Sequence, residues 1–596
     1  MTPSRQPDIG ATQTPDGVHF RVWAPAAERV EVVIESPAPG AHPLEKDPDG
    51  YHSGLVPGLA AGARYRYRLD GDASYPDPAS RSQPGGVHGP SEVVDPAAFR
   101  WTDPAWPGLE TAGLVIYELH VGTFTVAGTF DAAIDRLDDL ARLGVTAIEL
   151  MPVAEFSGAR NWGYDGVDLF APASAYGGPE ALRRLVDAAH RRGLGVILDV
   201  VYNHLGPEGN YLPAVTGGRF FTGRHHTPWG DAIDYDGPDS GPVRAFVLAN
   251  ALSWAHEYHV DGLRLDATHA IVDDSPVHLL AEIAARLHAL EPRRVVIAED
   301  DRRDPRLVRA RDRGGYGLDA AWADDLHHQL RRLTAGDHEG YFARFGGTVP
   351  EVVDTLRRGW SYDDEARELP PSAFVHCIQN HDQVGNRALG ERLHHQIPLP
   401  VYRALSALLL LSPYVPLLWM GQEWAASTPF QYFTDHPEEL GRLVTEGRRR
   451  EFRRFSAFSD PAARARIPDP QAEETFVRSK LRWEETGRVP HRGVLALYRE
   501  LLALRRSEPA LRRPGRDGMT VSPAGEHALT LRREAADGAV LLLVVNLGGA
   551  LDLPLEVRAW TEVLATEEPR FGGEDTGRLA GGRAVLRSAG ALVLRA

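Results

Sequence analysis

Hydrophobic and polar positions alternate along the first part of the chain. Val18-His19-Phe20-Arg21-Val22-Trp23, Val30-Glu31-Val32-Val33-Ile34 and Tyr65-Arg66-Tyr67-Arg68-Leu69 each show the two-residue period of a half-buried strand. Gly- and Pro-containing turns separate them. Short strands at this spacing predict a small β-sandwich over residues 1–90. A Pro- and Trp-rich stretch, 91–110, reads as a linker.

From Leu114 the period changes. Short apolar runs, read as buried strands, fall at 114–121, 145–151, 195–202, 262–266, 295–299, 318–323, 373–379 and 415–420. Between them lie segments with helical spacing, at 130–143, 179–192, 243–258, 276–290, 324–333, 399–411 and 493–506; in the first, Ile134, Leu137, Leu140 and Ala141 share a face. Alternation of this kind predicts a parallel sheet, and eight strands predict an α/β fold, a (β/α)8 TIM barrel over 111–512. The excursions near 204–242 and 421–492 become loops or small subdomains. After Pro514 the pattern returns to β, at 528–533, 540–546 and 584–586, which predicts a C-terminal β-domain over 513–596.

Composition narrows the setting. The 596 residues are 43% hydrophobic and 25% charged, an ordinary globular mixture, and Lys+Arg 65 against Asp+Glu 82 leaves a net charge of −17. An acidic chain without a basic tract argues against nucleic acid or an anionic membrane as partner. The longest apolar run, 405–420, is broken by Pro413 and Pro416 and falls short of the ~20 residues that span a bilayer. The N-terminal MTPSRQPDIGA lacks the apolar stretch of a signal peptide. The lone Cys377 excludes an intramolecular disulfide and a Cys-based zinc or iron–sulfur site, and is expected to be a small buried residue. The expectation is a soluble, cytoplasmic protein.

In such barrels chemistry sits where the strands end. The third ends in Asp199-Val200-Val201-Tyr202-Asn203-His204, the fourth in Arg264-Leu265-Asp266-Ala267-Thr268-His269, and the fifth in Glu299-Asp300-Asp301. Asp324-Asp325-Leu326-His327-His328 follows the sixth and Gln379-Asn380-His381-Asp382-Gln383 the seventh. One carboxylate in such a place is ordinarily a helix cap; five sets converging on one rim need another explanation. A metal site is poorly supported, because His256-Glu257-Tyr258-His259 is H-E-x-H and lacks the i, i+4 histidine spacing of a zincin. No nucleophile elbow, phosphate loop or dinucleotide fingerprint is present.

Glycoside chemistry fits better. A retaining glycosidase sets a carboxylate nucleophile and a carboxylic acid ~5–5.5 Å apart across the scissile bond. Asp266 and Glu299 end adjacent strands, and Arg264, two residues before Asp266, points to the same side and would hold it ionised. Asp382 could stabilise developing positive charge, and His204 and His381 could donate to sugar hydroxyls. Trp162, Tyr164 and Tyr202 are candidates for stacking on pyranose faces, with core packing as the alternative for each. Asp324 and Asp325 keep a second reading as a helix N-cap pair.

DVVYNH (199–204), GLRLDATHA (262–270), VIAEDD (296–301) and FVHCIQNHD (374–382) resemble, in order and spacing, the four signature regions of the alpha-amylase family. The resemblance implies Asp266 as nucleophile, Glu299 as general acid/base and Asp382 as transition-state stabiliser, supported by Arg264, His204, His381, Asp199 and Tyr164. YELHVGTFT (117–125) and NWGYDGVDLFAP (161–172) resemble the glycogen branching enzymes and their relatives. WADDLHHQL (322–330) departs from the Trp-Met-His segment expected of a branching enzyme. Together with NHDQVGNRALGERL (380–393) and PFQYFTDH (429–436), it resembles the branch of the family that releases trehalose from malto-oligosyltrehalose.

That branch implies an α-1,4 cleavage beside the terminal trehalose, a malto-oligosyltrehalose or related α-glucan substrate, and a synthase that supplies it. His269 and Ala270 stand where many amylases carry Lys-His, so the aglycone side is built differently. By the resemblance, His269, Asp324, His327, His328, Gln383 and Asn386 are candidates to line it. No set of amylase-type calcium ligands is apparent, so no metal or other cofactor is carried over. A branching transferase with the same carboxylates, and a non-catalytic glucan-binding protein, remain as alternatives.

Overall fold

A computed structural model describes residues 9–512 and 515–596. Residues 1–8 of the N-terminal segment read against a signal peptide, and the domain boundary expected at 513, lie outside those residues.

Eight parallel strands close into a barrel: β1 (Ile116–Leu119), β2 (Ala147–Leu150), β3 (Gly195–Val200), β4 (Gly262–Leu265), β5 (Val295–Ala298), β6 (Ala320–Trp322), β7 (Phe374–Cys377) and β8 (Val415–Trp419). Each is shorter than its apolar run, because the ends of the runs continue as irregular chain on the barrel rims. The side-chain period of two decides what enters the barrel. Ile116, Ala147, Ile197, Val295, Ile297, Ala320, Val375, Cys377, Val415 and Leu417 pack together as an inner core. Leu150, Leu198, Leu263, Leu265, Val296, Ala298 and Leu418 join the larger core beneath the surrounding helices. Glu118 sits beside Glu149 in the β1–β2 register and Asp199 beside Arg264 in the β3–β4 register. Glu118, Glu149 and Asp199 lie two positions beyond the inner-core residues Ile116, Ala147 and Ile197, and Arg264 is the register partner of Asp199, so they enter the same interior closer to the strand ends.

The helices fall close to the expected segments, for example Gly178–His190, Ser240–Glu257, Leu399–Leu411 and His491–Ser507. The segment expected as one helix over 130–143 is two, Phe130–Ile134 and Leu137–Leu143, broken at Asp135–Arg136. A further helix, Val349–Arg358, precedes β7; Thr348 and Glu351 form its capping box and Val349, Val352, Val353 and Leu356 its buried stripe. The excursion after β3 contains the hairpin Phe221–Thr227/Gly230–Ile233, and that after β8 is a set of short helices with Glu438–Glu451 the longest. Among the described residues no helix is long and apolar enough to cross a membrane.

Before the barrel, an antiparallel sheet runs in the order 10–14, 17–23, 51–57, 40–46, 30–36, 64–69, 74–75, with 91–92 also pairing 64–69. Its alternating residues Val18, Phe20, Val22, Val30, Val32, Ile34, Tyr65 and Tyr67 enclose their own core. Ile9, Trp23 and Ala79 instead join the barrel's core, and Arg81 makes a buried ion pair with Glu257 at 2.9 Å. Both observations give this domain a packing role against the barrel. After the barrel come a five-stranded and a three-stranded antiparallel sheet, tied back by the buried pair Arg403–Glu567 at 2.5 Å.

The chain between the N-terminal sheet and β1 is clamped beneath the barrel. His190 is sandwiched by carboxylates: Nδ1 lies 2.7 Å from Asp103 Oδ2 and Nε2 2.8 Å from Asp261 Oδ2. A ring N–H at each nitrogen satisfies both carboxylates, so the pair favours the doubly protonated imidazole. Trp106 stacks on this ring and donates to Asp261, while Trp101 stacks on His259. Burial opposes the charge, but Asp261 and Asp103 outweigh it and raise the His190 pKa above its usual value. Stability from a raised histidine is present at low pH and is lost as pH climbs through the folded-state value. The unfolding midpoint in urea should therefore fall as pH rises above ~6.5. His190→Ala should abolish that slope and cost about 3–5 kcal/mol at pH 6; an unchanged slope would contradict the clamp.

Candidate active site

The fourth strand carries the centre of the site. Arg264 is fully buried; its Nη1 donates to both oxygens of Asp199, each at 2.7 Å, and to Asp266 Oδ1 at 2.9 Å. Its Nη2 approaches Glu299 Oε2 to 2.8 Å, as an ion pair without hydrogen-bond alignment. The guanidinium plane also lies over Trp322, 4.3 Å from the ring centroid. One cation therefore touches carboxylates from β3, β4 and β5, and brings Asp266 and Glu299 together.

Asp266 receives a further hydrogen bond from Asn203 Nδ2 at 2.7 Å. Immediately after it, Ala267 adopts a left-handed conformation, φ 40°, uncommon for a residue with a Cβ. That turn aims the Ala267 N–H at Glu299 Oε2, 3.0 Å away. Thr268 Oγ1 then donates to the Glu299 carbonyl at 2.8 Å. The strained residue thus joins the ends of β4 and β5.

The two carboxyls are pushed apart in acidity. Burial alone would raise Asp266, but Arg264, His204 and the Asn203 hydrogen bond outweigh it and hold it below the usual range. Glu299 is driven well above that range by burial, with Asp266 and Asp382 adding to the effect against Arg264. Burial also raises Asp199, to about 6, and Asp382. The arrangement favours an ionised Asp266 beside a protonated Glu299.

A cavity of ≈ 220 Å³ opens beside Glu299 and Asp382, walled also by His269, Asp324, His328 and Gln383 among the expected set. Asp324 is not a helix cap: it sits at the N-terminus of the helix Asp325–Ala335 without capping it, and instead accepts from Gln383 Nε2 at 3.0 Å. His327 points away from the cavity, buried against His328 and Phe342. Asn386 is placed behind Asp382, donating to its Oδ1 at 2.5 Å while accepting from Arg448. Tyr164, Asp199 and His381 form a hydrogen-bonded chain beneath the site, with Tyr164 Oη 2.6 Å from Asp199 and 2.8 Å from His381 Nε2.

The stacking expectation fails for two aromatics. Trp162 packs on Phe430 and donates to the Gln431 carbonyl, and Tyr202 is buried with its hydroxyl on Asn250. The exposed ring is Trp229, half accessible at the tip of the hairpin and stacked on His204 at 4.4 Å. Arg303, Tyr341, Arg344 and Phe345 also line the cavity. They lie on excursions rather than strand ends, so searching the strand ends misses them; the aromatic cluster Tyr341-Phe342-Ala343-Arg344-Phe345 is the available signal.

A pair of carboxyls at the C-terminal rim of a (β/α)8 barrel, one held toward its ionised form and the other toward its protonated form, is the arrangement of a glycoside hydrolase. The family model for the alpha amylase catalytic domain matches residues 75–222; that for carbohydrate-binding module 48, the isoamylase N-terminal domain, matches 8–98; and a domain of unknown function matches 516–586. The malto-oligosyltrehalose trehalohydrolase of Deinococcus radiodurans is 46% identical over 558 residues, covering 91% of this chain and 89% of the relative. The chain belongs to the malto-oligosyltrehalose trehalohydrolase family. A 1,4-alpha-glucan branching enzyme of Xanthomonas euvesicatoria is more distant, 28% identical over 621 residues, covering 95% of this chain and 76% of that one. A crystal structure from Salmonella typhimurium, assigned provisionally to the alpha amylases, superposes with a TM-score of 0.88 at 38% identity, covering 99% of both chains.

Removing the shared cation tests the electrostatic account. Arg264→Met should destabilise the fold by about 3–5 kcal/mol at pH 7, because it strands buried negative charge. The loss should shrink near pH 4, where Asp199, pushed up to about 6 by burial, takes up a proton. Equal losses at both pH values, read from denaturant midpoints, would contradict it.

Proposed function

We propose that the protein is a retaining glycoside hydrolase that cleaves the α-1,4-glucosidic bond next to the terminal trehalose of malto-oligosyltrehalose, releasing trehalose and a maltodextrin. The observation that carries the reading is the single guanidinium of Arg264 shared by Asp266 and Glu299, in a chain belonging to this family.

Asp266, ionised, attacks the anomeric carbon while Glu299 protonates the departing oxygen of trehalose. Asp382, which also lines the cavity, stabilises the positive charge that develops on the sugar ring. Glu299, now a carboxylate, then takes a proton from water, which attacks the glycosyl-enzyme and frees Asp266. The exposed face of Trp229 offers a surface for a glucose ring, and His204 beneath it is held by the Tyr164 carbonyl at 3.0 Å. His269, Asp324, His328, Gln383, Arg303 and Tyr341 offer the polar and aromatic wall that a trehalose leaving group requires. A malto-oligosyltrehalose-forming synthase is the matching supplier of the substrate. His327 and Asn386 act by supporting this wall and Asp382 respectively.

Maltotriosyl-trehalose and maltopentaose, compared as substrates of equal length, decide the specificity. Free trehalose from the first with little attack on the second is expected; equal cleavage of both would make the enzyme a general α-glucan hydrolase, and new α-1,6 linkages would make it a branching transferase. Asp266→Asn and Glu299→Gln should each lower kcat by roughly three to six powers of ten while the protein stays folded. Activity should also decline as pH rises through the elevated Glu299 value, because the acid must start protonated. Near-normal turnover in either variant would overturn the roles.

A further inference from the structure

Below the reacting carboxyls the barrel holds two acids that the reaction does not use, Glu118 and Glu149, each 1% exposed. Glu118 reaches across to β7 from β1: Oε1 lies 2.5 Å from His381 Nδ1, and Oε2 accepts from the His381 backbone N–H at 2.9 Å. The other end of the His381 ring meets Tyr164, whose hydroxyl also meets Asp199.

Proton counting fixes the directions along this chain. Both Asp199 oxygens accept from Arg264, so Asp199 is a carboxylate and Tyr164 donates its one proton to it. The Tyr164 oxygen must then accept from His381 Nε2–H. His381 Nδ1 either bears a second proton, facing an ionised Glu118, or is bare and accepts from a protonated one. The surroundings favour the second. Asp324 after β6 and Asp382 after β7 add negative charge around Glu118, the neighbouring Glu149 on β2 is itself pushed well above its usual value by burial, and Arg264 on β4, the cation facing it, is already shared among Asp199, Asp266 and Glu299. Burial pushes Glu118 up to about 8, and His381 is pushed down to about 4, again by burial first.

We infer that Glu118 is a positioning residue: as a neutral carboxylic acid it donates to His381 Nδ1, accepts from the His381 backbone N–H, and so fixes the His381 tautomer and the direction of the Tyr164 hydroxyl toward Asp199. No negative charge is then added beneath Asp266 and Glu299. The inference deepens the proposed function and rests on it, because the groups it orients matter only if Asp266 and Glu299 react.

The test exploits the likeness between a carboxylic acid and an amide, each with one side that donates and one that accepts. Glu118→Leu should lower kcat about 10²–10³-fold, the size of losing one oriented donor, with KM within about threefold. Glu118→Gln should rescue kcat to within about threefold of native, since its amide gives to Nδ1 and its carbonyl takes the backbone N–H. A folded E118Q as impaired as E118L would show that charge on Glu118 is what matters and overturn the inference; so would native activity in E118L. If E118L does not fold, Glu118→Ala replaces it. If neither folds, E118Q alone decides, with kcat below about a tenth of native contradicting the neutral acid. These outcomes leave the effects of Asp266→Asn and Glu299→Gln untouched, so the two proposals fail separately.

Discussion

The interior of this barrel has to accommodate more negative charge than it can pair. Glu118, Glu149, Asp199, Asp266, Glu299, Asp324 and Asp382 surround one buried cation, Arg264. A buried charge without a partner costs several kcal/mol, so most of these acids must either share the guanidinium or keep a proton. Arg264 resolves the competition by geometry, giving Nη1 to Asp199 and Asp266 and leaving Nη2 near Glu299. The division of the pair into an ionised and a protonated carboxyl follows from that allocation.

The scaffold supplies the allocation through strand register. Arg264 and Asp266 lie two residues apart and face inward together, Asp199 is the register partner of Arg264, and Glu299 follows β5 one residue beyond its last paired position. Ala267 contributes the sharp turn that sets a backbone N–H on Glu299. The flanking domains hold this frame from outside, the N-terminal sheet through Arg81–Glu257 and the clamp on His190, the C-terminal sheets through Arg403–Glu567. None of these contacts reaches the cavity, which fits a packing role better than a substrate-binding one.

Much of this is legible in the amino-acid sequence because it is local or periodic. The apolar runs before Asp199, Asp266, Glu299, Asp324 and Asp382 mark the barrel strands, and a residue that ends such a run lies on the rim. The helix Val349–Arg358 carried a legible signal, Thr348 and Glu351 spaced as a capping box, but its alternation is hidden in a long segment between β6 and β7. What spacing cannot provide is depth and direction. His327 and His328 are neighbours on one helix, yet only His328 faces the cavity; Trp162 and Trp229 are both near the rim, yet tertiary packing buries the first and exposes the second. Nothing in the residues around Glu118 signals its role, since its partner His381 is distant along the chain.

The most direct test of the account is the configuration of the sugar at the moment of release. Asp266 and Glu299 share one guanidinium and interact with each other directly, which suits the short separation of a double displacement better than the ~6.5–9.5 Å that admits a water between two carboxyls. Proton NMR of maltotriosyl-trehalose hydrolysis, recorded before the new reducing end mutarotates, reads the anomer directly. The account predicts that the maltodextrin appears first as the α-anomer. Initial formation of the β-anomer would contradict it, because water rather than Asp266 would then have attacked the sugar.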